Sequence, residues 1–436
     1  MRFLTRTLTG ALLLCPRLFS IDAPTFRGDP QHRGVYDSSA IMKFNRVKWK
    51  FQTKGMVFSS PAVVGGVIYV GSNDRNLYAV DLSSGTEKWK FATKGRITSS
   101  PAVADGVVYF VSYDSSLYAV SVADGKLKWK FQTGGERRYA GTHLHGSQPV
   151  AETMPDPFDF YLSSPVVWNG AVFFGSGDGN IYSLNAASGE LNWKFKTGDV
   201  VHAAPAIADG TLFIGSWDSY FYALDAMTGK EEWRFKTGED PEIHNQVGIQ
   251  SSAAVVDGIV YFGCRDSNFY AVDAKTGLKK WAFSNQGSWV IGSPAVADGV
   301  VYFATSDSGL FHALDAKTGT SVFSLNFQGW PMFSSPAIAG NMLYIGSHSG
   351  RLFAIDRIAG KLAWTFQTDE SIRSGPTYTK ADGTPQYAAA FSSDFYDDMI
   401  IGVDRMLHIG AILSSPIVVD QVLYVGSSDG NLYALM

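Results

Sequence analysis

The chain has 436 residues, of which 45% are hydrophobic and 14% aromatic, with 45 glycines, enough for a large core. Only 17% are charged and the formal charge is −4, so no field favours nucleic acid or an anionic membrane surface.

The first 20 residues differ in kind from the rest. Arg2 and Arg6 flank a short start, Leu8 to Cys15 is apolar, and Leu18-Phe19-Ser20 offers a cleavage point, the pattern of a secretory signal peptide. The stretch is too short to span a bilayer, so no transmembrane span is expected. A lipid anchor at Cys15 is disfavoured, because Leu14 stands where a small residue is expected. An apolar N-terminus retained on a cytosolic protein is the alternative, and Pro16-Arg17 interrupting the end of the stretch keeps it open. Removal of residues 1–20 would place the chain in the periplasm or outside the cell and leave Cys264 as its single cysteine. Neither an internal disulfide nor a cysteine metal cluster is then possible. Residues 21–45 read as a lead segment.

From residue 46 to 436 the sequence repeats. Trp49, Trp89 and Trp129 stand 40 residues apart, a period that marks one supersecondary unit copied many times. Each unit holds four short runs rich in Val, Ile, Tyr, Phe and Trp, as between Ser59 and Phe91, the pattern of strands joined by tight turns. Asp105-Gly106, Asn169-Gly170, Asp209-Gly210, Asp257-Gly258 and Asp298-Gly299 separate the first two strands and accept the positive φ of two-residue hairpins. Ser188-Gly189, Thr228-Gly229, Thr276-Gly277 and Thr318-Gly319 separate the last two. Four antiparallel strands per repeat make a β-propeller blade, and no long helix is signalled after residue 30.

Strand-opening Pro or its equivalent occurs nine times, from Pro61 to Pro416. The unit after Pro376 lacks a tryptophan strand, so eight blades are preferred over nine, with residues 376–410 a worn blade or an insertion. Leu432 to Met436 ends a unit after three strands, and Val47 to Phe51 is a fourth strand without predecessors. Pairing them closes the ring and conceals both edges.

Ala79, Asp81, Gly85 and Trp89 recur in spacing as Ala223, Asp225, Gly229, Trp233 and as Ala271, Asp273, Gly277, Trp281, with relaxed copies ending at Trp129, Trp193, Phe323 and Trp364. This resembles the tryptophan-docking motif of the quinoprotein-like, pyrroloquinoline quinone repeat propellers, over essentially residues 46–436. The resemblance implies that Trp49, Trp89, Trp129, Trp193, Trp233, Trp281, Phe323 and Trp364 wedge between neighbouring blades, with the Asp and Gly shaping the turn that seats each one. Burial of such a ring is worth ~1.5–3 kcal/mol or more. Asp74, Asp178, Asp218 and Asp429, in Gly-Ser-x-Asp stretches, read as turn formers.

The family resembled includes dehydrogenases, which use pyrroloquinoline quinone with calcium, and non-enzymatic members such as the propeller lipoprotein of the outer-membrane barrel assembly machinery. Adjacent cysteines over a quinone are absent here, and no metal-ligand set maps onto the sequence.

Two inserts break the period, both between the last strand of one blade and the first of the next. Trp129 to Trp193 spans 64 residues and carries Arg137, Arg138, His143 and His145; Trp233 to Trp281 spans 48 and carries Glu242 and His244. With Trp289 and Trp330, which stand off the docking register, these residues are the candidates for binding a ligand or partner. Solvated loop histidines are expected rather than a metal site, and the two indoles could equally plug the central channel. Asp394, Asp397 and Asp398 read as a solvated acidic loop rather than a calcium site. The expected function is a non-catalytic, monomeric binding or scaffolding propeller with a protein or cell-envelope partner and no cofactor. The alternative is an alcohol or sugar dehydrogenase using pyrroloquinoline quinone and calcium.

Overall fold

The computed structural model describes residues 22–238 and 247–436. Residues 1–20, the stretch expected to be a signal peptide, lie outside the described residues, as do Glu242 and His244. Eight four-stranded antiparallel sheets follow one another as blades of a propeller. Blade 1 is built from Ala62–Val64, Val67–Gly71, Asn76–Asp81 and Glu87–Ala92. Blades 2 to 7 repeat that order, their first strands opening at Ala102, Val166, Ala206, Ala254, Ala295 and Ala337. Blade 8 takes Ile417–Val419, Val422–Gly426 and Asn431–Leu435 from the end of the chain and Val47–Gln52 from its beginning. Trp49 lies opposite Ala434 and Phe51 opposite Leu432, so the ring closes as the unmatched ends require.

The 40-residue beat has a direct physical cause. The Nε1 of Trp89 donates to Val122 O of the next blade at 3.0 Å, that of Trp193 to Ala226 O at 3.0 Å, and that of Trp233 to Ala274 O at 3.0 Å. Trp49, Trp129 and Trp281 do the same to Leu82, Ala186 and Ala316. Each ring covers a glycine of that next blade. At Gly85, with φ +72°, a Cβ would meet Trp49 at 2.6 Å, so the turn conformation and the docking contact both demand glycine. Phe323 packs on Gly360 without the hydrogen bond. Trp364 faces blade 8, whose third and fourth strands come from opposite chain ends and share no turn. It donates instead to Ile41 O at 2.8 Å and stacks on Phe44.

The lead segment supplies more than that contact. It runs around the axis on the face of the first hairpin turns and offers carbonyls to one inner strand after another. Val63 N donates to Ala23 O, Val103 N to Pro24 O, Ile207 N to Pro30 O, Val255 N to Gln31 O, Val296 N to Arg33 O and Ile338 N to Gly34 O. Arg27, 1% exposed, donates to Pro294 O and Pro336 O. Between the blades a belt of serines encircles the axis. The N–H of Ser60 donates to Ser100 Oγ, Ser100 to Ser164, Ser252 to Ser293, Ser293 to Ser335, Ser335 to Ser415, and Ser415 back to Ser60. Ala204, which has no hydroxyl, interrupts the belt after Ser164. The cavity inside measures about 40 Å³, with Phe26 of the lead segment among its walls.

The segment after Pro376 is an insertion, and it corrects the expectation of no long helix. Residues 368–414 leave blade 7 and form α1 (Asp369–Ser374), α2 (Tyr387–Ala390) and α3 (Tyr396–Leu407) before entering blade 8. Met399, Gly402, Val403, Met406 and Leu407 form the buried face of α3, spaced as a 3.6-residue period demands. Asp397 and Asp398 fall in its first turn and Arg405 in its last, each sign suited to its end of the helix dipole.

Candidate functional site

Both described inserts connect an outer strand to the next inner strand, so they rise on the same face, opposite the lead segment. The first folds as a hairpin, Ala140–Thr142 against Thr153–Pro155, with a 3-10 turn at Leu144–Gly146. It is tied to the helical insert: Gln148 N donates to Asp394 O at 2.8 Å, Tyr396 N to Gln148 O at 2.9 Å, and Tyr396 OH to Pro155 O at 2.6 Å.

Two buried ionic groups hold the hairpin on the ring. His202 of the blade 4 entry contacts Asp159 through Nδ1 at 2.7 Å and Glu136 through Nε2 at 2.8 Å, with all three side chains buried. Burial opposes a charged imidazole, but Asp159 and Glu136 outweigh it and raise the His202 pKa to about 10. Burial also lifts Glu136 above the usual carboxylate range despite His202 beside it. In the second group Arg265 Nη1 meets Asp156 at 2.5 Å, and His145 Nε2 lies 3.2 Å from the same carboxylate. Burial alone would raise Asp156, yet Arg265 and His145 hold it well below the usual range. The guanidinium is sandwiched between Trp217 and Trp289, 4.4 Å from each ring, and Tyr139 stacks on Trp217 at 4.5 Å.

Phe58, Phe160, Trp289, Ile291, Phe333 and Leu413 pack with α3 residues Val403 and Leu407 into one cluster over the axis. The mouth of the ring is therefore filled by side chains of the blades and the two inserts.

The sequence candidates separate in space. Arg137 pairs with Asp199 at 2.7 Å on the surface, and Arg138 lines a small cavity of about 230 Å³ beside Arg96 and Asp404. Trp330, 2% exposed, donates to Gly383 O at 2.9 Å and packs on Ala390, Met406 and Ile409, so it holds down the helical insert. His143, His145 and Trp289 are brought together as part of one cleft of about 710 Å³. Its hairpin wall is His143, His145 and Phe158; its ring wall is Trp289, Ser306, Asp307, Phe333 and His348; its helical wall is Tyr387, Ala388, Phe391, Val403 and Met406. Among the described residues, no group of three or more His, Cys, Asp or Glu could hold a metal ion.

Trp217, Arg265 and His348 were not legible as site residues from motifs, yet a signal exists. They occupy the x of the Gly-Ser-x-Asp stretch, where successive blades carry Asn73, Tyr113, Gly177, Trp217, Arg265, Ser306, His348 and Ser428. The flanking positions make the turn, while this one turns toward the mouth and varies. His202 stands likewise in a column otherwise occupied by Phe58, Thr98, Leu162, Gln250, Ile291, Phe333 and Leu413.

A family model described as outer membrane protein assembly factor BamB matches residues 43–156, 161–287 and 266–436. The chain belongs to this BamB-like, pyrroloquinoline quinone repeat family. BamB from Moraxella catarrhalis superposes with a TM-score of 0.63 at 17% identity, over 90% of this chain and 97% of that one. A europium-containing methanol dehydrogenase gives 0.68 at 15% identity, over 95% and 98%. Quinohemoprotein alcohol dehydrogenase from Comamonas testosteroni gives 0.67 at 15%, over 95% of this chain and 80% of that one. Identities this low establish the shared fold alone. A comparison with curated proteins finds no match.

Proposed function

We propose that this BamB-like propeller is a non-catalytic, monomeric binding and scaffolding protein of the cell envelope, which engages a protein partner through the face that carries its inserts. The reading rests on the sealed axis. The serine belt leaves about 40 Å³ on the axis, and aromatic side chains of the blades and inserts fill the mouth above it. What that face offers instead is surface: Val150, Ile372, Tyr387, Phe395 and Ile401, large apolar side chains on the two inserts, are all exposed. Apolar surface collected on rigidly clamped inserts favours protein contact. The family's description as an outer membrane assembly factor supports the same setting. No helix among the described residues is long and apolar enough to cross a membrane.

Two of the structural neighbours are dehydrogenases that share this fold, but the residues present here do not suit the cofactor of the dehydrogenase alternative. A calcium ion takes about six to eight oxygen ligands, and the described residues provide no group of three or more candidate ligands. The buried carboxylates of the insert face, Glu136, Asp156 and Asp159, are engaged by His202 and Arg265. Arg265 and Tyr139 cover the indole faces of Trp217, and Arg265 stacks on Trp289 as well. The described residues do not fit a quinone with its calcium ion. Protein supplied with pyrroloquinoline quinone and calcium is expected to reduce no dye with primary alcohols or aldose sugars. Substrate-dependent dye reduction would overturn the proposal.

A further inference from the structure

The cleft between the two inserts coincides with the place where the repeat's own turn device is dismantled. In six blades the aspartate of Gly-Ser-x-Asp accepts a hydrogen bond from a tyrosine four residues on, at 2.5 to 2.8 Å: Asp74 from Tyr78, Asp114 from Tyr118, Asp178 from Tyr182, Asp218 from Tyr222, Asp266 from Tyr270 and Asp429 from Tyr433. Blade 7 has Ser349 in place of the aspartate. Blade 6 keeps the aspartate, Asp307, but has Phe311 and His312 where the tyrosine would stand. Asp307 is thereby released from the clamp. It is exposed, accepts bonds from Ser288 Oγ and Ser306 Oγ at 2.8 Å, and lines the cleft.

Two further groups in the cleft wall lack what buried polar atoms ordinarily have. Trp289 is 8% exposed and its Nε1 has no hydrogen-bond partner among the described residues; His348 is 3% exposed and its Nε2 has none among them either. A buried polar atom left unpaired costs about 1–3 kcal/mol, and such groups call for a missing partner. Phe158, Phe333, Phe391, Val403 and Met406 make the remainder of the wall apolar, and among the described residues no lysine or arginine lines it. Its volume lies in the range of sites that enclose a ring-sized group. The helical insert that supplies one wall is acidic, residues 369–407 carrying seven Asp and Glu against three Lys and Arg.

We propose that this cleft receives an aromatic side chain of a basic peptide segment: the ring rests on the wall formed by Phe158 and Trp289, which pack edge to face at 6.0 Å, and against Phe391 opposite, and a neighbouring lysine or arginine meets Asp307. The occupant is a peptide of the protein partner, and to that extent the inference rests on the binding role proposed above. The released carboxylate and the acidic helical insert select the cation, and the apolar wall selects the ring. A polyanionic occupant is rejected by the same charges.

Isothermal titration of the full chain with short blocked peptides tests it. Acetyl-Lys-Trp-Lys-amide is expected to bind one to one, with Lys-Ala-Lys and Glu-Trp-Glu analogues weaker by about tenfold or more. Asp307→Asn should weaken the basic aromatic peptide by about five- to tenfold, and Ala388→Trp, an exposed wall position filled with a ring, should abolish binding. An unchanged melting temperature in both variants verifies that each is folded. Absence of binding to the folded protein, equal affinity for the acidic analogue, or indifference to either substitution would overturn the inference. Tryptamine binding as tightly as the peptide would overturn it in favour of a small-molecule site. Failure here with no dye reduction would refute the cleft alone, whereas quinone-dependent turnover would refute the binding role itself.

Discussion

The two ends of the propeller axis are closed by different means. On the face of the first hairpin turns the lead segment meets six inner strands with backbone hydrogen bonds, so it finishes the sheets and adds little surface of its own. On the opposite face the closure is made by side chains: two ionic groups, an aromatic cluster and the apolar face of α3. Backbone closure depends little on sequence, while side-chain closure depends on particular residues. The difference teaches that the ring is a scaffold and that the insert face carries the individuality of this protein.

Deleting residues 46–53 attacks the scaffold and has the largest expected effect. It removes the outer strand of blade 8, bares the edge of Asn431–Leu435, and should cause aggregation. A soluble monomer with unchanged melting temperature would contradict the closure described here.

Arg265→Met attacks the other end. It leaves Asp156 buried with His145 alone beside it, a loss of up to about 3–5 kcal/mol for a broken buried pair. The damage should fall on the hairpin insert, read as accelerated hydrogen exchange over residues 134–160 with the outer strands unchanged. Uniform loosening of all eight blades would show that the insert is part of the scaffold after all.

The His202 group makes the comparison pH-dependent. Its folded pKa, about 10, lies above the unfolded value of 6.5, so its contribution is fully present below pH 6.5 and is lost as pH rises through 10. Glu136, also raised, acts in the same direction. Stability should fall between pH 7 and 10, and His202→Gln should flatten that slope in melting curves; equal slopes would remove the ionic account.

The smallest expected effect is Trp233→Phe, which keeps a ring against Gly277 and gives up the bond to Ala274 O, at about 1 kcal/mol. A much larger loss in denaturant unfolding would mean the indole does more than dock.

The ring was legible because one contact is copied: Trp on Gly, with the N–H on a carbonyl in most blades, leaves the same spacing of letters strictly in three repeats and in relaxed form in four more. Ring closure was legible from the unmatched strands at the two ends. The helical insert was missed although Met399, Gly402, Val403, Met406 and Leu407 spell a helix face, because Pro376 invites the strand register of its eight counterparts. The mouth was legible only in part. His145 and Trp289 stood out as departures from the period, but Trp217, Arg265 and His348 hide inside a regular motif at its one unconstrained letter. Asp307 hides more deeply: it matches the repeat, and only the loss of a tyrosine five residues away, at His312, frees it.

Site-specific photo-cross-linking in the producing cell compares the two regions most directly. A photoreactive residue replaces either Phe395 on the helical insert or Leu278 on the outer rim, positions 58% and 69% exposed. A discrete protein adduct from position 395, with none from 278, is the predicted result. Adducts from 278 alone, or from neither position, would contradict the claim that the insert face is the binding surface.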